Sequence, residues 1–234
     1  MRLITVLTIA AAAAGLAFAA SAAETIPGLP PGAWEGWGKK HDEFKTRMKE
    51  GNVGVIFFGD SITAGWAGSA GIGIWKKNYE PVHAVNFGIG SDTVPLLLWR
   101  IQNGELEGAD PKAVVLLIGT NNIGGDPKKV AEGIARIVEA IRAMRPKTKV
   151  LLLGIFPRTK ATDAPKIMEN VRKVNADLAK LDDKKNVRFV DLADKFAPGG
   201  VLNTGFFSDG VHLTTKGYQV WADGIAPVLE PMMR

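Results

Sequence analysis

Five short apolar runs, near residues 53–58, 82–87, 113–118, 149–154 and 187–191, alternate along this chain with longer stretches of helical character. Those stretches lie near residues 38–50, 92–103, 127–145, 164–181 and 215–230. Alternating strands and helices build a parallel sheet, because the return from one parallel strand to the next needs a crossover helix on a face of the sheet. The pattern predicts an α/β fold: a flavodoxin-like three-layer α/β/α sandwich around a five-stranded parallel sheet. The stretch from Pro127 illustrates the helical reading. Val130, Ile134, Ile137, Val138 and Ile141 share one face, Lys129, Glu132, Arg136 and Glu139 lie elsewhere, and Asp126-Pro127 is a helix start signal.

The chain has 234 residues, and its ends read differently from its middle. Residues 1–22 carry one early charge, Arg2, then an apolar stretch to about Phe18 and a run of small residues in which Ala20-Ser21-Ala22 fits a cleavage site. This reads as a secretory signal peptide, too short and alanine-rich for a membrane anchor. Residues 23–36 read as an extended, proline-bearing lead-in, and residues 37–234 as one domain, large enough to be stable without cross-links. A secreted or periplasmic bacterial protein is the expectation, with no integral membrane segment after signal removal. There are no cysteines and hence no disulfides. Removing Arg2 lowers the formal charge from +5 to +4, and the excess is spread over short lysine pairs such as Lys39-Lys40 and Lys184-Lys185. Such pairs are solvated faces, not a nucleic-acid stripe.

Several strand candidates end in polar residues. Val53 to Phe57 leads into Phe58-Gly59-Asp60-Ser61-Ile62-Thr63, which sets the hydroxyl of Ser61 where the chain turns sharply at the carboxyl edge of the sheet, the edge where open α/β sheets bind ligands. Taken alone, Gly-Asp-Ser after a strand is as readily an ordinary turn as a nucleophile. Asp209-Gly210-Val211-His212 shifts that balance, since a serine needs a base and the base an orienting carboxylate. With three residues of separation, Asp209 and His212 can share one side of a turn. His41, in a run of charged residues, reads as solvated, and His83, at the start of a strand, as structural. Gly119-Thr120-Asn121-Asn122 puts an amide at the same edge, able to donate to an oxyanion or simply to form a turn. Asn86 to Thr93 ends another strand with a glycine-bearing loop.

These four ordered motifs resemble those of the SGNH (GDSL-type) hydrolases, and most closely the platelet-activating-factor acetylhydrolase catalytic subunits and their secreted bacterial relatives. The resemblance runs from about Trp37 to the end and includes His83 to Gly90, Leu98-Trp99-Arg100 and Asn103 to Leu106. It implies Ser61 as nucleophile, His212 as general base and then acid, Asp209 as orienting carboxylate, and an oxyanion hole of the Ser61 and Ser91 backbone N–H groups with the Asn121 side chain. Ser91 stands where the family has glycine, and Gly88 and Gly90 are expected to carry the conformational demand. Ile62 replaces the family's leucine, an apolar exchange. Asp60, Gly88, Gly90 and Trp66 are further candidates for substrate contact. Trp66 and Trp75 would stack on a sugar ring, bound an acyl pocket, or pack in the core; Trp34, Trp37, Trp99 and Trp221 read as structural.

The expected activity is therefore hydrolysis of a short, acetyl ester through an acyl-serine, with O-acetylated carbohydrate or a platelet-activating-factor-like lipid as substrate. A lysophospholipase or thioesterase would use the same residues, and a non-catalytic binding module could share the fold. No cofactor is implied, and no metal-ligand spacing is present. No Gly-x-Ser-x-Gly elbow surrounds Ser61, which argues against the common α/β-hydrolase fold. The relatives dimerise, so a homodimer is implied by resemblance alone.

Overall fold

The computed structural model describes residues 33–159 and 166–234. The signal peptide and most of the lead-in fall outside the described residues, as do residues 164 and 165 of one expected helix. Five parallel strands form one sheet: β1 (Val55–Gly59), β2 (Ala84–Gly88), β3 (Ala113–Leu117), β4 (Lys149–Leu153) and β5 (Val187–Val190), in the order β2-β1-β3-β4-β5. This is the flavodoxin-like order, whose switch point lies between β1 and β3. Register brings the strand ends together there, with Gly59 beside both Gly88 and Leu117.

Successive side chains of a strand face opposite ways, and the two faces are filled differently. Ile56 and Phe58 of β1 and Val114 and Leu116 of β3 join an aliphatic core with Met48, Leu97, Ile134, Ile137, Ile141 and Val174. Those residues come from α1 (Trp34–Lys49), α4 (Val94–Arg100), α5 (Pro127–Met144) and α6 (Ile167–Leu178), taking α2 (Ser61–Ala64) and α3 (Ile72–Asn78) as the helices between α1 and α4. Val55 and Phe57 point the other way, into a core rich in aromatics that includes Trp66, Trp75, Tyr79, Tyr218 and Trp221. The last helices, α7 (Ala193–Phe196) and α8 (Thr215–Met232), cover that face with α2 and α3. Each fully buried Val, Leu, Ile or Phe side chain contributes about 1.5–3 kcal/mol.

Two helix boundaries depart from the sequence pattern. α1 begins at Trp34, so the lead-in turns helical three residues before its expected end. The stretch expected to be helical to residue 103 keeps regular geometry only to Arg100, then widens into a π-turn over Ile101–Glu105. Gly104, at φ +107°, supplies the backbone angle that breaks the helix. That break folds Glu105 back onto Arg100, a contact taken up below. No helix among the described residues is long and apolar enough to cross a membrane.

Candidate active site

The chain leaves β1 at Gly59 with no space to spare: a Cβ there would stand 2.1 Å from Thr63 Oγ1 and 2.3 Å from the Leu117 carbonyl oxygen. Asp60 then caps the short helix α2, its Oδ1 accepting from the Ile62 N–H at 2.9 Å, and Ser61 is the first residue of that helix. Ser61 Oγ lies 2.8 Å from His212 Nε2, across 151 residues of sequence. His212 Nδ1 in turn lies 2.8 Å from Asp209 Oδ2. A carboxylate only accepts, so in the neutral ring the proton sits on Nδ1 and Nε2 is left to accept from the serine hydroxyl.

Asp209 is placed by local bonds. Its Oδ1 accepts from the backbone N–H groups of Val211 and His212, at 3.0 and 2.8 Å. Partial burial pulls its pKa upward, yet these bonds and the imidazole hold it down, to about 2. The loop is closed by a bridge between Phe207 and Leu213, and Thr159, after β4, donates its N–H to the Gly210 carbonyl. Asp209 and His212 nevertheless remain open to solvent, at 45% and 44% exposure of their side chains.

Asn121 follows β3 and is exposed. One hydrogen of its Nδ2 goes to the Asp92 carbonyl at 2.8 Å, which fixes the amide and leaves its second hydrogen for a ligand. Asn122 accepts from the Val94 N–H at 2.9 Å and so caps α4. The loop after β2 makes a tight turn, Ile89 donating to the Gly59 carbonyl and Asp92 to the Ile89 carbonyl. The positive φ expected of the glycines falls instead on Ser91 itself, at +61°, while Gly88 and Gly90 are not left-handed. Gly88 is needed for another reason, since a Cβ there would meet Ala64 N at 2.2 Å. It is buried under α2, whereas exposed Gly90 has open space beside it.

Two other expected substrate contacts are corrected by burial. Trp66 is 0% exposed, packed among Phe57, Trp75, Tyr79, Tyr218 and Trp221, and it serves the core, as does buried Trp75. Asp60, 1% exposed, faces inward beneath the serine. Its Oδ2 has no partner, and burial, aided by the charge of Asp92, raises its pKa to about 7 against the Ile62 N–H bond.

The structure also reveals residues that the motifs do not. Arg100 is fully buried and makes four hydrogen bonds: Nε and Nη2 to the two oxygens of Glu105 at 2.8 and 2.7 Å, Nη1 to Asp92 Oδ2 at 2.5 Å, and Nη2 to the Phe87 carbonyl at 2.6 Å. His41, expected in solvent, is buried on Glu105 at 2.8 Å between Trp37 and Trp99, and Trp37 donates to Asp92 Oδ1 at 3.2 Å. A signal existed in the arginine that interrupts Leu97-Leu98-Trp99-Arg100-Ile101, a charge on an apolar helix that only buried partners would tolerate. Among the described residues no group of three or more His, Cys, Asp or Glu side chains could hold a metal ion.

A serine, a histidine and a carboxylate hydrogen-bonded in line, with an anchored amide at the switch point of a 2-1-3-4-5 sheet, form an arrangement that serine hydrolases share. Residues 57–220 match the GDSL-like Lipase/Acylhydrolase family, and the chain belongs to it. It is 36% identical over 184 residues to the platelet-activating factor acetylhydrolase IB subunit alpha2 of Rattus norvegicus, covering 78% of each chain. Its fold is similar to that of a GDSL-like lipase from Bacteroides thetaiotaomicron, at TM-score 0.67 and 21% identity over 85% of this chain and 98% of that one. It is also similar to the acetylxylan esterase Axe2 of Geobacillus stearothermophilus, at TM-score 0.59 and 18% identity over 75% and 95% of the two chains. The protein is an ester hydrolase.

Proposed function

We propose that the protein hydrolyses short-chain esters, acetyl esters above all, through an acyl-serine on Ser61. The observation that carries this is the line Ser61 Oγ, His212, Asp209, with 2.8 Å at each step, beside an anchored Asn121 amide. Ser61 Oγ attacks the ester carbonyl carbon as His212 Nε2 takes its proton, and the imidazolium is stabilised by Asp209. The free Asn121 hydrogen, with the backbone N–H groups of Ser61 and Ser91, receives the negative charge on the carbonyl oxygen. His212 then protonates the leaving alcohol, and in the second half it activates the water that releases the acid.

The motifs are not separated by any long apolar insertion that would cover an extended acyl chain. The names of the relatives point the same way, one an acetylhydrolase of a lipid and another an esterase of acetylated xylan. The substrate is accordingly an O-acetylated carbohydrate or a lipid of the platelet-activating-factor kind, and the leaving alcohol is its deacetylated hydroxyl. The N-terminal pattern supports export, and the first residue of the mature protein would be Ala23. Association into a homodimer rests on resemblance alone, and sedimentation of the mature protein tests it.

The test is hydrolysis of p-nitrophenyl acetate by the mature protein beside Ser61→Ala, with mass spectrometry of a serine-directed phosphonate adduct. Turnover and labelling of the Ser61 peptide, both lost in the variant, support the reading; turnover that survives Ser61→Ala defeats it. A ladder of acyl lengths tests the short-acyl claim, and a preference for chains of eight or more carbons would replace it with a lysophospholipase or thioesterase.

A further inference from the structure

The side of the site facing Ser61 across the sheet edge is presented by the five residues Gly88 to Asp92, and Arg100 touches both ends of that segment. At its start Arg100 Nη2 donates to the carbonyl of Phe87, and at its finish Nη1 donates to the Asp92 carboxylate. Between those points lies Ser91, left-handed at φ +61° without being glycine. Beyond them, the Asp92 carbonyl holds the amide of Asn121. The guanidinium is itself fixed from behind by a two-pronged bond to Glu105, which His41 contacts in turn, and it lies 5.3 Å from the ring centre of Phe44.

A buried cation with two buried carboxylates is a costly way to fill a core, and apolar residues of similar volume often serve stability as well or better. A non-glycine residue in the left-handed region is also costly, and persists only where its surroundings over-determine it. The two costs meet in one loop. We propose that Arg100 is a positioning residue of the esterase reaction: by clamping both ends of the loop after β2, it holds Ser91 in its left-handed conformation and the Asp92 carbonyl beneath Asn121. The inference rests on the esterase reading above. Asp92 thus acts twice, its carboxylate taking the clamp and its carbonyl passing the alignment to the amide. Arg100 touches no substrate, so its effect is on the alignment of the donors when charge develops on the carbonyl oxygen, more than on ester binding.

The experiment is a double-mutant cycle on p-nitrophenyl acetate, with Arg100→Lys, Ser91→Gly and their combination, each normalised to the folded fraction from a thermal melt. Lysine keeps the charge but cannot bridge both loop ends with a planar fork. Arg100→Lys lowers kcat about 100-fold, the order seen when an oxyanion donor is lost, with KM within about threefold. In the Ser91→Gly background the same change costs at least about tenfold less, because glycine reaches the left-handed region without being held there. If Arg100→Lys does not fold, Asp92→Asn takes its place in the cycle, with a smaller loss of about tenfold and the same relief by Ser91→Gly. The proposal is overturned by a loss that only tracks the folded fraction, by a loss in KM alone, or by equal costs in the two backgrounds. Ser61→Ala in the same assay separates the two claims. Turnover surviving it removes the acyl-serine reading on Ser61 and this inference together, while its loss with no coupling removes this inference alone.

Discussion

The hydrogen-bonded line from Ser61 to Asp209 and the loop that faces it are held by opposite means. Asp209 and His212 stand nearly half exposed and are fixed by bonds within a four-residue turn, Oδ1 on two backbone N–H groups and Oδ2 on the ring. The opposing loop is fixed by buried polar side chains drawn from other elements: Arg100 and Glu105 around the end of α4, and Trp37 and His41 on α1. A proton carrier needs to accept, release and exchange with water, so openness serves it. Donors that stabilise a developing oxyanion must already be aligned, since reorganising them during the reaction would consume the stabilisation they offer.

The largest expected effect is on the open side. His212→Ala removes the proposed base, whose Nε2 lies 2.8 Å from Ser61 Oγ, and is expected to lower kcat by about 10⁴-fold or more, with KM little changed. Steady-state kinetics on an acetyl ester measure this, and a loss below about 100-fold would mean that another group serves as base. Asp209→Asn follows. It leaves the amide able to hold the ring in the wrong tautomer, which costs about 10⁴-fold where the aspartate is buried. Here water reaches the pair, and screening reduces the expected loss to about 10²–10³-fold. A loss as large as that of His212→Ala would show that exposure confers no relief. Because Asp209 is held down to about 2, its carboxylate is charged throughout the ordinary working range. Its support of the imidazolium is lost only as pH falls toward 2.

The same contrast decides what the sequence made legible. The sheet was readable because each strand is a short apolar run followed by turn chemistry, and the Asp209–His212 pair because its geometry is local. Ser61, His212 and Asn121 could be brought to one edge from motif order and the carboxyl-edge rule alone. The Arg100 cluster could not, because its bonds reach across 5, 8 and 13 residues and depend on a helix break at Gly104 that periodicity does not encode. His41 was misread for the same reason: its neighbours Lys40 and Asp42 describe the exposed flank of α1, while the ring itself turns inward onto Glu105. Trp66 was misplaced because nearness in sequence to a nucleophile says little about which side of the turn a side chain takes.

Asp60 sharpens the comparison, since it is a buried ionisable group on the open side. Its pKa stands near 7 in the folded protein, mainly through burial, against 3.8 for an unperturbed carboxyl. A raised folded value means that the native state keeps the proton while the unfolded chain has released it. The stabilisation is complete below pH 4 and is lost progressively as pH rises to about 7, a total of about 4 kcal/mol for a shift of this size. Asp60→Asn keeps a capping oxygen for the Ile62 N–H and removes the ionisation. Urea unfolding at pH 4 and pH 8 is expected to show the variant gaining on the wild type as pH rises. Parallel pH curves for the two proteins would mean that Asp60 titrates in the native state as it does in the unfolded chain.

The smallest effect belongs to the clamped side and concerns Ser91 without its chemistry. Two terms oppose each other on replacement by glycine. Leaving the left-handed region free of a Cβ relieves about 1–2 kcal/mol, while the more flexible unfolded chain returns about 0.5–1 kcal/mol of that. The residue is exposed, and no buried contact is lost with its side chain. Ser91→Gly should therefore raise stability by about 0.5–1 kcal/mol, a rise of about 1–4 °C in Tm for a domain of this size. A differential melt of the two proteins reads it directly. An unchanged or lower Tm would mean that the Ser91 hydroxyl makes bonds that offset its backbone, and that the loop is held by this side chain as well as by Arg100. A higher Tm would instead leave the strain as a cost borne by the buried clamp, which the open His212 side of the site does not carry.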